Sequence, residues 1–141
     1  MSLPVTIDRQ VLLQAFTAEA ASGSAKMVEA LHRLAEEPLD EAARHRILCL
    51  VHSLQGNARL FGYPALARCA QAVEKVLEHE PLPWTDELHD LIAASTAAFR
   101  TMVPRVVAGG DELLPSEQVV FEGLEETLYR SESRPFDSTI R

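Results

Sequence analysis

His52 is set apart from the apolar residues of its own predicted helix, and a histidine in that position can do chemistry. The apolar residues of this helix recur in steps of four and three and form one stripe, which consists of Ile47, Val51, Leu54, Ala58 and Phe61. At 100° per residue, His52 lies roughly 140° from the centre of the stripe. We therefore expect its imidazole at the surface or in a groove, where a neutral ring can serve as a nucleophile.

Glu74 is expected beside His52. The turn between the second and third predicted helices centres on Tyr63, which follows His52 by eleven residues and precedes Glu74 by eleven. Because both helices rise by about 1.5 Å per residue, the two side chains stand at about the same height. A carboxylate that accepts from the Nδ1–H group fixes the tautomer and leaves the Nε2 lone pair outward. Arg59, two turns along the same side, offers a cation to phosphoryl oxygens.

Gly56 lies one turn after His52 on the same outward face. A glycine inside a helix costs about 1 kcal/mol relative to alanine, and on an outward face it contributes nothing to packing. Its presence indicates that something must come close to the backbone beside His52.

Pro, Gly and capping residues divide the chain into amphipathic helices. The predicted helices are a first block after Thr6 that ends by Pro38, a second from the N-cap Asp40 to Gly62, a third from Pro64 to Pro81, a fourth from the N-cap Thr85 to Gly109-Gly110, and a fifth, short one over residues 116–130. Asp8 is expected in the opening turn of the first block. Ser22-Gly23-Ser24 either kinks this block or breaks it into two helices. Residues 131–141 are expected to be a tail or linker.

The apolar residues of the other blocks also recur at helical spacing. They are Val11, Leu12, Phe16, Met27, Val28, Leu31 and Leu34 in the first, Leu66, Ala70, Val73 and Leu77 in the third, Leu88, Ile92, Phe99, Met102 and Val106 in the fourth, and Phe121, Leu124 and Leu128 in the fifth. Such stripes are best buried in an all-α, antiparallel up-and-down four-helix bundle with a long or broken first helix. We assign residues 1–110 to this bundle and residues 111–141 to a C-terminal extension with an additional helix.

The composition excludes several classes of protein. The net charge is −8 and there is no Lys/Arg run, so no basic face is available for nucleic acid. No apolar stretch approaches the roughly 18 residues of a membrane span, and the N-terminus does not have the pattern of a signal peptide. Cys49 and Cys69 are expected to be free thiols because a chain with no export signal is expected in the cytoplasm.

The segment from His52 to Leu66 resembles the signature of the histidine-containing phosphotransfer (HPt) domain. The matching residues are His52, Leu54, Gly56, Ala58, Gly62 and Leu66. Glu74 stands where the chemotaxis-kinase branch of this family carries an acid that hydrogen-bonds the histidine, and the segment from Leu13 to Glu19 resembles the opening helix of that branch. The resemblance covers roughly residues 7–108.

The resemblance implies a phosphocarrier rather than an enzyme. A phosphoryl group would arrive from a histidine kinase catalytic domain or a receiver domain, rest on Nε2 of His52, and leave to a receiver aspartate. The usual lysine of the motif is Gln55 here, so Gln55 and Arg59 are the expected phosphoryl contacts. No cofactor is expected in this chain, and Mg²⁺ is expected only in the partner kinase or receiver.

The partner is expected to dock on the face around His52, through Gly56, Cys49, His45 and Leu48. Three other interpretations stay open. The first is a phosphorylation-incompetent module that only binds a receiver or kinase domain, which Gln55 favours. The second is a metal site of His45, Cys49 and His52 on one helix face, although structural zinc needs four ligands. The third is a paired-carboxylate hydrolase, for which the sequence predicts no cleft.

Overall fold

A computed structural model describes residues 8–133, and this range contains five α-helices and no strand. The helices are α1 (Arg9–Glu36), α2 (Glu41–Phe61), α3 (Pro64–His79), α4 (Asp86–Val107) and α5 (Pro115–Ser133). Helices α1 to α4 form the predicted up-and-down bundle, in which α1 packs against α2 and α4, and α2 packs against α3. The predicted fold class is confirmed.

Helix α1 runs continuously from Arg9 to Glu36, so Ser22-Gly23-Ser24 does not break it into two helices. Asp8 precedes the helix as its N-cap and accepts from the Gln10 N–H. At Gly23 the helix passes close to α2, since a Cβ there would lie 3.7 Å from Leu50. The prediction that Val11 and Leu12 belong to the core is wrong. They are 55% and 39% exposed because they lie in the first turns of α1, where no residue before Phe16 is buried.

Helix α2 begins and ends at the residues that the sequence indicates. The Asp40 side chain accepts from the Ala43 N–H, and Gly62 ends the helix with φ 82°, a left-handed conformation that glycine adopts without steric cost. Only Gly62 and Tyr63 separate α2 from α3, so the two helices form a tight antiparallel hairpin.

Helix α3 starts at Pro64, and the side chain of the preceding residue, Tyr63, does not cap it. The Glu112 carboxylate, from the segment between α4 and α5, instead accepts from the Leu66 N–H at 2.9 Å. This contact satisfies one of the free N–H groups of the first turn and places a negative charge at the positive end of the helix dipole. Residues beyond position 110 thus support the helix that carries Glu74.

The apolar stripes meet in one core. Its largest fully buried side chains are Phe99, Leu34, Ile47, Leu66, Leu77, Ile92, Met102, Leu124, Val51, Val73, Val76 and Val103. Leu54 and Phe61 of the predicted α2 stripe are half-buried and pack against this core. No helix within residues 8–133 is long and apolar enough to cross a membrane.

Helix α5 is longer than the short helix predicted for residues 116–130, and residues 131–133 of the predicted tail belong to it. It packs on α3 and α4, where it buries Phe121 and Leu124. Residues 134–141 of that tail lie outside the described range. The division of the chain at residue 110 stays a prediction.

An ion pair between Arg105 and Glu117 joins the end of α4 to the start of α5. The Arg105 guanidinium binds both carboxylate oxygens of Glu117, and the Leu114 N–H and the Thr101 hydroxyl also donate to them. Burial of Glu117 acts to raise its pKa, but the Arg105 guanidinium and the other donors outweigh this and hold the pKa below its ordinary value. The carboxylate is therefore ionised and fully hydrogen-bonded in the folded chain.

We expect Glu117→Ala to lower the free energy of unfolding by about 2 to 4 kcal/mol at neutral pH, because it leaves the Arg105 charge unpaired. The carboxyl pKa is lower in the folded state, so the pair stabilises the fold above the ordinary carboxyl pKa. This contribution is lost as the pH falls through the lowered value. Urea denaturation at several pH values measures it. If the difference in free energy of unfolding between the wild type and the variant stays constant below about pH 4, this account is contradicted.

Candidate functional site around His52

His52 lies on the outer face of α2, as predicted, and 72% of its side chain is exposed. Its helix neighbours Val51 and Ala58 face the core, so the outward direction of the imidazole follows from the position of the apolar stripe. A ring in this place is open to a partner molecule.

Glu74 of α3 contacts His52, and the predicted equality of their heights is confirmed. The distance from His52 Nδ1 to Glu74 Oε2 is 2.6 Å. Because an ionised carboxylate only accepts, Nδ1 carries the hydrogen in this bond. The free lone pair is then on Nε2, and the ring that carries this atom is exposed. The Glu74 side chain is 16% exposed, so packing limits its movement beside the ring.

Gln55 is only 6% exposed and lies against Glu74 rather than at the open surface where a phosphoryl contact was expected. Its carboxamide satisfies both neighbours when the NH₂ group points to Glu74 Oε1, at 2.6 Å, and the oxygen accepts from Arg59, at 3.1 Å. Arg59 itself is exposed. The structure therefore brings His52, Glu74, Gln55 and Arg59 together as one hydrogen-bonded group.

The burial of Gln55 could have been found in the sequence. Position 55 follows Val51 by four residues and precedes Ala58 by three, which is the spacing of the apolar stripe itself. The HPt motif alone suggests a phosphoryl contact for Gln55, whereas the helical spacing indicates a side chain on the buried face of α2.

Gly56 is exposed, and a Cβ built on it would meet no atom within 4 Å. No contact within the described part of the chain therefore requires a glycine at this position. The interpretation that a partner approaches the backbone here stays a prediction, and the open space is consistent with it.

The remaining predicted contact residues lie one and two turns before His52. His45 and Cys49 are exposed, with 3.3 Å between His45 Nε2 and Cys49 Sγ, whereas Leu48 is half-buried and packs against the core. Residues 8–133 contain no group of three or more His, Cys, Asp or Glu side chains arranged to hold a metal ion, so the geometry does not support the metal-site interpretation.

The two cysteines are both free, as expected. Cys49 is exposed, whereas burial raises the pKa of the Cys69 thiol to about 12. We expect a thiol-disulfide reagent at pH 8 to modify Cys49 in the folded protein and to reach Cys69 only after denaturation, since the thiolate is the reactive form. Absorbance at the reagent's product band counts the thiols. Two fast-reacting thiols in the native protein would contradict the placement of Cys69.

Comparison with known families decides the class of the chain. A model of the Hpt domain family matches residues 11–109, which include the whole hydrogen-bonded group around His52. This chain belongs to the Hpt domain family. Hpt domains are phosphocarrier modules rather than catalysts, so the family assigns the chain to proteins that carry a phosphoryl group. No curated protein sequence matches the chain significantly.

A solved structure supports the same fold for this Hpt domain. The chain is similar to the phosphorylated P1 domain of CheA3 from R. sphaeroides, which was crystallised in complex with CheY6. The TM-score is 0.78 at 17% sequence identity, and the match covers 86% of this chain and 98% of the other. At this identity the likeness shows a shared helical architecture.

Proposed function

We propose that the chain is a phosphocarrier of a two-component phosphorelay, which accepts a phosphoryl group on Nε2 of His52 and passes it to a response-regulator aspartate. The observation that carries the proposal is the 2.6 Å contact between Glu74 and Nδ1 of an exposed histidine. It leaves the nucleophilic nitrogen free and outward in a chain of the Hpt family.

In the forward step, the Nε2 lone pair attacks the phosphorus atom and an N–P bond forms. The bond between phosphorus and the donor's oxygen breaks, and its electron pair leaves with that oxygen, either on ADP or on a receiver aspartate. The proton on Nδ1 stays in place, so the ring becomes cationic. The Glu74 carboxylate stabilises this developing charge, as a carboxylate does beside other catalytic imidazoles.

In the return step, the carboxylate of a receiver aspartate attacks the phosphorus atom and the N–P bond breaks. The electron pair returns to Nε2, and the imidazole becomes neutral again. This chain positions the imidazole and supplies the negative charge beside it, while the kinase or receiver brings the Mg²⁺ that phosphoryl transfer requires. We therefore propose no cofactor for the chain itself.

The proposed partners are a receiver domain and a histidine kinase catalytic domain. The similar P1 domain was crystallised with CheY6, and the open space around Gly56 supports the approach of a receiver to the ring. Because receivers and kinase catalytic domains of this kind act in the cytoplasm, we propose that compartment. We propose no nucleic-acid partner, in keeping with the acidic net charge.

A docking module without phosphotransfer is the second candidate, because the motif position usually occupied by lysine holds the neutral, buried Gln55. The test is incubation with a ³²P-phosphorylated receiver domain and, separately, with labelled phosphoramidate, a small P–N donor. Label on the chain that is lost in acid and stable in base supports phosphotransfer. Binding of the receiver with no label from either donor would instead support docking alone.

We expect Glu74→Ala to slow phosphorylation of His52 by phosphoramidate about 10-fold to 100-fold, because the ring loses its tautomer constraint and its counter-charge. The rate of label incorporation measures this effect. Glu78→Ala, which removes an exposed acid one turn further along α3, is the matched control and should keep the wild-type rate. Equal rates for Glu74→Ala and wild type would show that the carboxylate has no part in the transfer.

A further inference from the structure

We propose that Gln55 is a positioning residue for Glu74, and that Arg59 acts on His52 through Gln55 rather than by touching the phosphoryl group. The inference rests on the proposed function, since it concerns the same site. It replaces the expectation that both side chains contact phosphoryl oxygens. The evidence is the arrangement of donors and acceptors around one carboxylate.

Both oxygens of the Glu74 carboxylate are occupied. Oε2 accepts from His52 Nδ1 at 2.6 Å, and Oε1 accepts from the Gln55 amide at 2.6 Å. A carboxylate held at one oxygen can rotate about its terminal bond, whereas one held at both oxygens keeps its plane. Gln55 is thus placed to aim the oxygen that fixes the His52 tautomer.

The group forms a directed chain of hydrogen bonds. Arg59 donates to the Gln55 carbonyl oxygen at 3.1 Å, and the Gln55 NH₂ group donates to Glu74. Each bond polarises the next when all donors point the same way, so the Arg59 charge makes the Gln55 amide a stronger donor. The 6% exposure of Gln55 protects this chain from competition by water.

An amide suits this position better than a lysine would. The amide has one donor group and one acceptor, so it can bind Glu74 and Arg59 at once, whereas an ammonium group only donates and would repel Arg59. Gln55 is also neutral. It therefore leaves the negative charge of Glu74 available to the imidazole when the ring becomes cationic.

The first test reads the tautomer of His52 directly. ¹⁵N chemical shifts of the two ring nitrogens, measured at a pH where the ring is neutral, give the fraction with hydrogen on Nδ1. We expect the wild type to hold mainly this form. We expect Gln55→Leu, which keeps the volume and suits a buried position, to shift at least a fifth of the population to the other tautomer. Asn57→Leu, two residues away on the same helix, is the amide control and should not shift it.

The second test is a double-mutant cycle on the rate of His52 phosphorylation by phosphoramidate. We expect Gln55→Leu to slow the reaction about tenfold. We expect Arg59→Leu to slow it in the wild-type background and to have no further effect in the Gln55→Leu background. Independent effects of the two substitutions would mean that Arg59 contacts the phosphoryl group directly, and would overturn the inference.

The two proposals fail in different ways. An unchanged His52 tautomer in Gln55→Leu, with normal labelling of His52, would overturn the role of Gln55 and leave the phosphocarrier function intact. Absence of label on the wild type would overturn the phosphocarrier function, while the tautomer measurement would still decide whether Gln55 positions Glu74. Circular dichroism of each variant establishes that the bundle is folded before either result is interpreted.

Discussion

His52→Gln accepts no acid-labile phosphoryl group from a phosphorylated receiver domain or from phosphoramidate, a loss we expect to exceed about 1000-fold. Glutamine keeps the size and polarity of the position but has no ring nitrogen with a free lone pair, so no N–P bond can form. His52 is 72% exposed, and the substitution removes no core contact. The free energy of unfolding should therefore stay within about 0.5 kcal/mol of the wild-type value.

The measurement for this variant is ³²P incorporation followed by acid and base treatment of the labelled protein. His32→Gln, an exposed histidine on α1, is the matched control and should label like the wild type. Retention of acid-labile label in His52→Gln would assign the phosphoryl group to another histidine and remove the site described above from the mechanism.

Gly56→Arg is expected to slow transfer from a phosphorylated receiver by about 100-fold or more, while labelling by phosphoramidate stays within about twofold of the wild type. A Cβ at this position meets open space, so a long side chain fits the isolated domain. It would occupy the approach to His52 that a receiver needs, one turn away, but would leave room for a small donor. Arginine is also a better helix former than glycine, so the variant should be more stable by up to about 0.8 kcal/mol.

Comparison of the two donors separates docking from chemistry in this experiment. Gly56→Ala is the graded control, since a methyl group adds the helix stability with little bulk, and its transfer rate should lie between those of the wild type and Gly56→Arg. Normal receiver kinetics in Gly56→Arg would mean that the partner docks elsewhere, and slow labelling by both donors would mean that the substitution disturbs His52 itself.

Much of the fold could be predicted because single residues mark the helix ends. Asp40 and Thr85 accept hydrogen bonds from first-turn N–H groups, Gly62 adopts a left-handed conformation, and Pro64 begins a helix. Each of these roles follows from the chemistry of one residue type, so no tertiary information is needed. The pairing of His52 with Glu74 followed in turn from the ends of the hairpin and the rise of a helix.

The features that could not be predicted depend on contacts between distant segments. Glu112 caps α3 from another part of the chain, and Arg105 pairs with Glu117 across the α4–α5 connection. Nothing in the local pattern of either acid distinguishes it from the other surface acids. The prediction that Val11 lies in the core is wrong because helical spacing identifies one face of a helix. It does not show how far the neighbouring helices extend along that face.

The two-residue connection between α2 and α3 has a consequence for how this lineage can change in length. One residue inserted into α3 before Glu74 would turn the carboxylate by about 100° around the helix axis and carry it away from the imidazole. An insertion in the loop between α3 and α4, or in the loop between α4 and α5, would not rotate Glu74 relative to His52. We therefore expect working descendants of this chain to keep a sequence separation of 22 from His52 to Glu74 while their later loops grow or shrink.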